Sequence, residues 1–350
     1  MVVKYYVTTV PGLEKVSWSE ISSKLNNVKL LSETDGRLFF SHDGNFKELI
    51  NLRTVNDIYI FIGSIPGLTR SRNSLGEIFR RVGSFNLDTC LRIHKELHGG
   101  KGRKSITFKV SSTMTGKHNF RRIDAQRSVE LSLMRRYGWK LSLDSPILEF
   151  RMDLEEDNFI FGLKLTDERL QKNEYKLSHI PASLQPSVAH CMVLLSEPNP
   201  SDIFTDPMCG AGTIIIERAL AGPYRHIIGG DISIDSINSA KINVDTSRKD
   251  IHLILWDALN MPLSDHVIDK VVCNMPFGKQ TGDDIDSKTF YSNFFKEMKR
   301  IMRPRGKAVL LTPEKGLMNK LISQHSNVNL EKIYPINLFG LKAYIFVINF

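Results

Sequence analysis

From Leu177 onward the chain alternates strand-like and helical runs, and this alternation constrains the fold more than any other feature. Strand-like runs occupy Asp202–Asp206, Ile227–Asp231, Ile251–Trp256, Ile268–Asn274, Lys307–Thr312, Asn329–Ile336 and Ala343–Phe350, with helical runs between the first five. Parallel strands need crossover connections, so the pattern predicts a mainly parallel sheet covered on both faces. The last two runs are joined only through Asn337–Lys342, which includes Gly340, and so short a connection makes an antiparallel pair. The predicted class is α/β, a doubly wound seven-stranded sheet preceded by α+β segments.

A chain of 350 residues has room for two or three domains. Residues 1–62 read as a strand (Tyr5–Val10), a helix (Leu13–Leu25), two strands (Val28–Leu31, Arg37–Phe40), a helix (Phe46–Arg53) and a strand (Ile58–Ile62), a ferredoxin-like order. Residues 63–166 hold the loop His98–Lys104, the strand Ser105–Ser111, a helix from about Asp124 to Tyr137, and the strands Ile147–Asp153 and Asn158–Leu165. On that helix Ala125, Val129, Leu131, Leu133 and Met134 are expected to form the apolar face. Residues 167–180 read as a linker, and 181–350 as the doubly wound domain.

A hydrophobic fraction of 41% with 24% charged residues excludes a mostly disordered chain. No apolar run approaches the roughly 18 residues of a membrane span, and the first residues lack a signal-peptide pattern. The expectation is a soluble cytoplasmic protein with no membrane partner. Cys90, Cys191, Cys209 and Cys273 form no Cys-x-x-Cys pair and read as buried reduced thiols. His94 and His98 stand four apart but lack a third ligand, and Asp283, Asp284 and Asp286 read as a solvated loop, so no metal is expected.

The net charge of +9 is concentrated. Between Lys101 and Lys140 eleven basic residues face only Asp124 and Glu130, a local net of +9. Such a patch attracts polyanions such as nucleic acid.

The run Ile203–Asp206 ends in Pro207-Met-Cys-Gly210-Ala-Gly212-Thr213 and then a helix. Glycines let the backbone turn sharply and approach a ligand. A pyrophosphate loop needs a third glycine, where this chain has Ile215. An acid ahead of the loop repels phosphate but welcomes a sulfonium or an ammonium. The next run ends at Asp231, where a carboxylate can accept from both ribose hydroxyls. The third ends in Trp256-Asp257-Ala258, where an acid can accept from an adenine amine. Three acids at successive strand ends suit S-adenosylmethionine (SAM).

The fourth run ends in Asn274-Met275-Pro276-Phe277-Gly278. An Asn oxygen and a Pro carbonyl can each accept one N–H of a planar exocyclic amine, and Phe277 can stack on its ring. Alignment and electrostatic placement would then supply much of the rate. A cytosine-C5 reaction would need a cysteine nucleophile, and Phe277 stands after the proline instead.

Together these motifs resemble class I SAM-dependent methyltransferases, with their Rossmann-fold domain. Ile180–Ala189, Asp167–Lys176 with Leu170 and Tyr175, the Thr289–Lys299 helix and the ending Phe339-Gly340-Leu341 resemble THUMP-domain RNA methyltransferases. Within that family the chain is similar to the tRNA guanine-N2 enzymes that act on guanine 6 of the acceptor stem. It departs from many relatives in carrying Met275 where they have proline.

The resemblance implies a ferredoxin-like unit, a THUMP domain binding the tRNA 3′ CCA end, and a catalytic domain. Asn274, Pro276 and Phe277 would hold the guanine. Gly210, Gly212, Asp231 and Asp257 would hold SAM, with Asp206, Pro207, Cys209, Thr213, Ile232, Ala258, Ser183 and Leu184 as further contacts. Lys117, Arg121, Arg122, Arg127 and Lys279 are candidates for RNA. The product would be S-adenosyl-L-homocysteine, and the protein a monomer, with no activating partner indicated. The alternatives are an rRNA guanine-N2 enzyme, an adenine-N6 enzyme, and a non-catalytic RNA-binding module.

Overall fold

The computed structural model describes residues 2–99, 106–166, 175–178, 180, 183–276, 287–338 and 340–350. The chain divides into two compact units. One comprises Met1–Thr8, Ile21–Leu52 and Asp57–Leu170, the other Thr9–Glu20, Arg53–Asn56 and Gln171–Phe350.

In chain order the first elements are β1 (Val3–Thr8), α1 (Glu14–Lys24), β2 (Val28–Thr34), β3 (Arg37–His42) and a 3-10 turn over Phe46–Asn51. They continue with β4 (Asp57–Ile65), α2 (Asn73–Ser84), α3 (Asp88–His98), β5 (Thr107–Thr115), α4 (Arg122–Tyr137), β6 (Lys140–Leu141), β7 (Leu148–Glu155) and β8 (Asn158–Lys164). The strands form one eight-stranded sheet in the order β2-β3-β1-β4-β8-β7-β5-β6. The antiparallel pair β4–β8 thus joins into one sheet the strands that the sequence divides between residues 1–62 and 63–166.

Several expectations change in this unit. β1 stops at Thr8, because Val10 is buried in the core of the second unit. The run after Phe46 is a 3-10 turn, started by Asn45, whose side chain accepts from the Lys47 backbone. Helices α2 and α3 are passed over in the sequence reading. On α4, Ala125, Val129 and Leu133 are buried at four-residue spacing, whereas Leu131 and Met134 are exposed. At 100° per residue those two fall off the buried stripe.

The second unit contains α5 (Pro186–Leu195), β9 (Ile203–Asp206), α6 (Thr213–Ala221), β10 (His226–Asp231), α7 (Ile234–Ser247), β11 (His252–Leu255), β12 (Ile268–Asn274), α8 (Ser287–Ile301), β13 (Met302–Thr312), α9 (Lys315–Ser323), β14 (Asn329–Leu338) and β15 (Leu341–Asn349). Its seven strands run β11-β10-β9-β12-β13-β15-β14. β9 to β13 pair in parallel, and β15 is antiparallel to both β13 and β14. This is the doubly wound seven-stranded sheet expected.

Alternation along each strand fills two cores. Val272, Val309, Leu311, Ile345 and Val347 pack with α5, α6 and α7, while Val271, Cys273, Ala308, Leu310, Phe346 and Ile348 pack with α8 and α9. The helix expected between β11 and β12 is absent. Residues 256–267 form turns instead, with an Asp257–Asn260 bridge, and Pro262 interrupts the stretch. No helix among the described residues is long and apolar enough to cross a membrane.

Candidate active site

The carboxyl ends of β9, β10 and β12, three adjacent strands, gather the acidic and amide side chains. Reversal of strand order between β9 and β12 makes this the edge where a doubly wound sheet opens a crevice. Asp206 ends β9 and is 1% exposed. Its carboxylate accepts from the Met208 N–H at 3.2 Å. Burial pushes it up to about 8, against the pull of Met208 and the Cys273 thiol.

The loop after Asp206 is held by its backbone. Cys209 N donates to Gly230 O at 2.8 Å, and Gly212 N to Cys209 O at 2.8 Å. Gly210 and Gly212 have φ of 52° and 81°, the left-handed region where a side chain is strained. Gly212 is the N-cap of α6, so that helix presents its N-terminal backbone to the loop.

Asp231 ends β10, and its two oxygens accept from Gly210 N and Ser233 N, each at 2.9 Å. Each carboxylate oxygen keeps a further lone pair. Ile232 follows at 73% exposure, a large apolar side chain held in the open beside that carboxylate. Asp257 is exposed two residues beyond β11 and accepts from Leu259 N at 2.8 Å, while Ala258 is buried. Pro207 is buried in the loop, and Thr213 is buried at the first position of α6.

Sequence reasoning assigned no role to Asn243 or the Trp256 indole. Buried Asn243 donates to Ala211 O at 2.9 Å and to Ser178 O at 3.0 Å, and accepts from Ser178 N at 2.9 Å. It ties the segment before the sheet to the glycine loop. In that segment Leu184 is buried, and the Ser183 hydroxyl is buried without a hydrogen-bond partner among the described residues. The Trp256 indole donates to Pro207 O at 2.9 Å.

Asn274 ends β12, and its Oδ1 is buried with no hydrogen-bond partner among the described residues. A buried acceptor left unpaired costs free energy, so its persistence here marks a place for a donor. Met275 N donates to Leu311 O at 2.9 Å, fixing the turn. Pro276 O accepts from the Tyr291 hydroxyl at 3.3 Å. Phe277, Gly278, Lys279 and the acidic run Asp283–Asp286 lie outside the described residues, as do 100–104 of the His98–Lys104 loop and 167–174 of the linker.

The cysteines are free and buried. Burial pushes Cys90 up to about 12, and Cys191, Cys209 and Cys273 well above the ordinary thiol range, which keeps them inert. Among the described residues no group of His, Cys, Asp and Glu is placed to hold a metal ion. The His94 and His98 rings stack at 4.2 Å, and His98 Nε2 donates to Leu165 O at 3.1 Å.

In the other unit, Lys117, Arg121, Arg122 and Arg127 are exposed, on the loop before α4 and on its first two turns. Arg121 pairs with Asp124 at 3.2 Å and Arg127 with Glu130 at 3.6 Å, while Arg122 reaches Ser112 O at 3.3 Å.

Residues 173–340 match the UPF0020 family, described as an RMKL-like methyltransferase domain. The chain is 27% identical to the tRNA (guanine(6)-N2)-methyltransferase of Methanocaldococcus jannaschii, with 98% of each chain covered. It is 30% identical to the tRNA (guanine(6)-N(2))-methyltransferase THUMP3 of Mus musculus over 69% of this chain, and spans 51% of that protein's length. The crystal structure of TrmN from Thermus thermophilus has the same fold, with a TM-score of 0.82, 23% identity, and 100% of this chain and 99% of that one covered.

Proposed function

We propose that this chain, whose residues 173–340 match the UPF0020 family of RMKL-like methyltransferase domains, methylates the exocyclic N2 of a guanine in tRNA. The observation that carries the chemistry is the Oδ1 of Asn274 at the end of β12, buried with no hydrogen-bond partner among the described residues. An amine with two N–H groups fits that acceptor together with the Pro276 carbonyl. The similarity to the M. jannaschii enzyme, which runs the length of both chains, supports guanine N2 as the acceptor and tRNA as its carrier.

The residues present fit SAM as the methyl donor. Gly210 and Gly212 leave the loop without side chains at two left-handed positions, and Asp206 offers a buried acid suited to a cation. Asp231 would accept from the ribose hydroxyls, and Asp257 from the adenine amine. Ile232 and Ala258 would contact the adenine ring, while Pro207, Cys209 and Thr213 shape the loop and Ser183 and Leu184 close it from the preceding segment. When bound, SAM supplies a methyl group that passes to the amine nitrogen, leaving S-adenosyl-L-homocysteine.

This chain's own residues align the acceptor. Asn274 Oδ1 and Pro276 O each take one N–H, which directs the nitrogen lone pair toward the donor side of the crevice. Phe277 would stack on the guanine. No strong base is needed, because the amine proton becomes acidic as the new bond forms. A guanine in a stem must leave its pair to reach such a site.

Within the same proposal, the target is guanine 6 of the acceptor stem and residues 63–166 are a THUMP domain that engages the 3′ CCA end. Residues 1–62 are its ferredoxin-like neighbour, 167–180 a linker and 181–350 the catalytic domain. Lys117, Arg121, Arg122, Arg127 and Lys279 contact phosphates, and the enzyme acts as a cytoplasmic monomer. The test is incubation with labelled SAM and unmodified bulk tRNA or rRNA, followed by nucleoside analysis. Label in N2-methylguanosine from tRNA is expected. Label in rRNA alone, or in N6-methyladenosine, would reassign the substrate, and SAM binding with no transfer would favour a binding module.

A further inference from the structure

The Pro276 carbonyl is held from behind. Tyr291, on the second turn of α8, is 2% exposed, and its hydroxyl lies 3.3 Å from Pro276 O and 2.7 Å from Thr312 Oγ1. Thr312, fully buried at the end of β13, accepts from Glu314 N at 3.0 Å. Either hydroxyl could donate in the 2.7 Å contact. If Tyr291 donated to Thr312, the threonine hydrogen would have no acceptor in this chain of contacts, and Pro276 O would receive no hydrogen from Tyr291. If Thr312 donates to Tyr291, every hydrogen is used: Glu314 N–H to Thr312, Thr312 to Tyr291, and Tyr291 to Pro276 O. Buried hydroxyls take the arrangement that leaves none unpaired.

We infer that Tyr291 is a positioning residue, which through this relay fixes the Pro276 carbonyl so that its remaining lone pair meets the second N–H of the target amine. The inference rests on the methyl-transfer reading above. A carbonyl oxygen has two lone pairs, so the tyrosine takes one and leaves the other. Met275 N–H is already tied to Leu311 O, so both sides of the Met275–Pro276 peptide step are anchored to β13, one directly and one through α8. Burial pushes the Tyr291 hydroxyl up to about 12, so it remains a donor at neutral pH. Asn274 needs no such support, since its side chain grows from the strand itself.

The test compares single-turnover methyl transfer, with affinities for SAM and tRNA, in the full chain and in Tyr291→Phe, Thr312→Val and Thr312→Ser. Tyr291→Phe is expected to slow transfer about tenfold, the worth of one well-placed hydrogen bond, with both affinities unchanged. Thr312→Val is expected to slow it several-fold, and Thr312→Ser, which keeps the relay, to restore the rate. A wild-type rate in Tyr291→Phe overturns the inference, as does a loss of affinity and melting temperature in proportion to rate. If Tyr291→Phe fails to fold, equal rates in Thr312→Val and Thr312→Ser overturn it. A wild-type chain that transfers no methyl group to guanine in tRNA overturns the underlying reading and the inference with it.

Discussion

Trp256 and Gly230 share one space: a Cβ placed on Gly230 would stand 1.9 Å from the indole ring. The indole N–H donates to Pro207 O at 2.9 Å, while the Trp256 backbone N–H donates to Asp231 O at 3.0 Å. Through its backbone and its indole, one residue thus links the ends of β10 and β11 to the loop after β9. Gly230→Ala must displace the indole and break its bond to the loop. The expected cost is about 1–3 kcal/mol by urea unfolding, as for other overpacked sites, together with weaker SAM binding by calorimetry. Unchanged unfolding would mean that the indole can move freely.

Asn274→Ala separates function from stability. It removes a buried acceptor that has no partner among the described residues, so the folded state loses no hydrogen bond seen there. The melting temperature is expected to hold or rise slightly. Methyl transfer is expected to fall by about 100-fold or more, in line with the removal of one aligned electrostatic contact, with SAM affinity unchanged. Near-normal turnover would remove Asn274 from the mechanism.

Asp206 makes SAM binding depend on pH. Burial raises its carboxyl to about 8, so in the free protein it is largely neutral at pH 6 and ionises as the pH approaches 8. A cationic ligand favours the ionised form, so affinity should rise between pH 6 and 7 by up to about tenfold, and Asp206→Asn should flatten the profile. The folding consequence has the opposite sense. A raised folded pKa contributes stability that is fully present below the unfolded value and is lost as pH rises through about 8. Asp206→Asn should therefore stabilise the free protein most above pH 8, a shift that thermal melts across pH will show.

Arg121 and Arg122 carry the RNA prediction. Replacing both by Ala is expected to weaken tRNA binding and lower the slope of log affinity against log salt by up to about 2, roughly one per phosphate contact. Fluorescence anisotropy at several salt concentrations reads the slope directly. An unchanged slope would place the RNA on another surface.

The doubly wound sheet was readable because its strands are apolar runs closed by Asp206, Asp231 and Asn274, with Gly or Pro beside them. Strand alternation then fixed which side chains face which core. The contents of the two units were not readable. Residues 9–20 and 53–56 belong with the second unit, where Arg53 pairs with buried Glu217 at 2.6 Å across 164 residues of sequence. Nothing local to Arg53 marks that partner. The missing helix after Leu255 was misread because alternation elsewhere suggested one, although Pro262 argued against it. At the site, short motifs identified Asn274 and Pro276, but Asn243, Trp256 and Tyr291 act through contacts that only the folded chain creates.

The most direct measurement uses two tRNA transcripts that differ at one base, guanine or inosine at position 6, with labelled SAM and the intact protein. Inosine lacks only the exocyclic amine that Asn274 Oδ1 and Pro276 O are proposed to hold. The expected result is label in the guanine transcript, none in the inosine transcript, and similar binding of both. Equal labelling of the two would show that the methyl group goes elsewhere, and would contradict the proposed chemistry of the site.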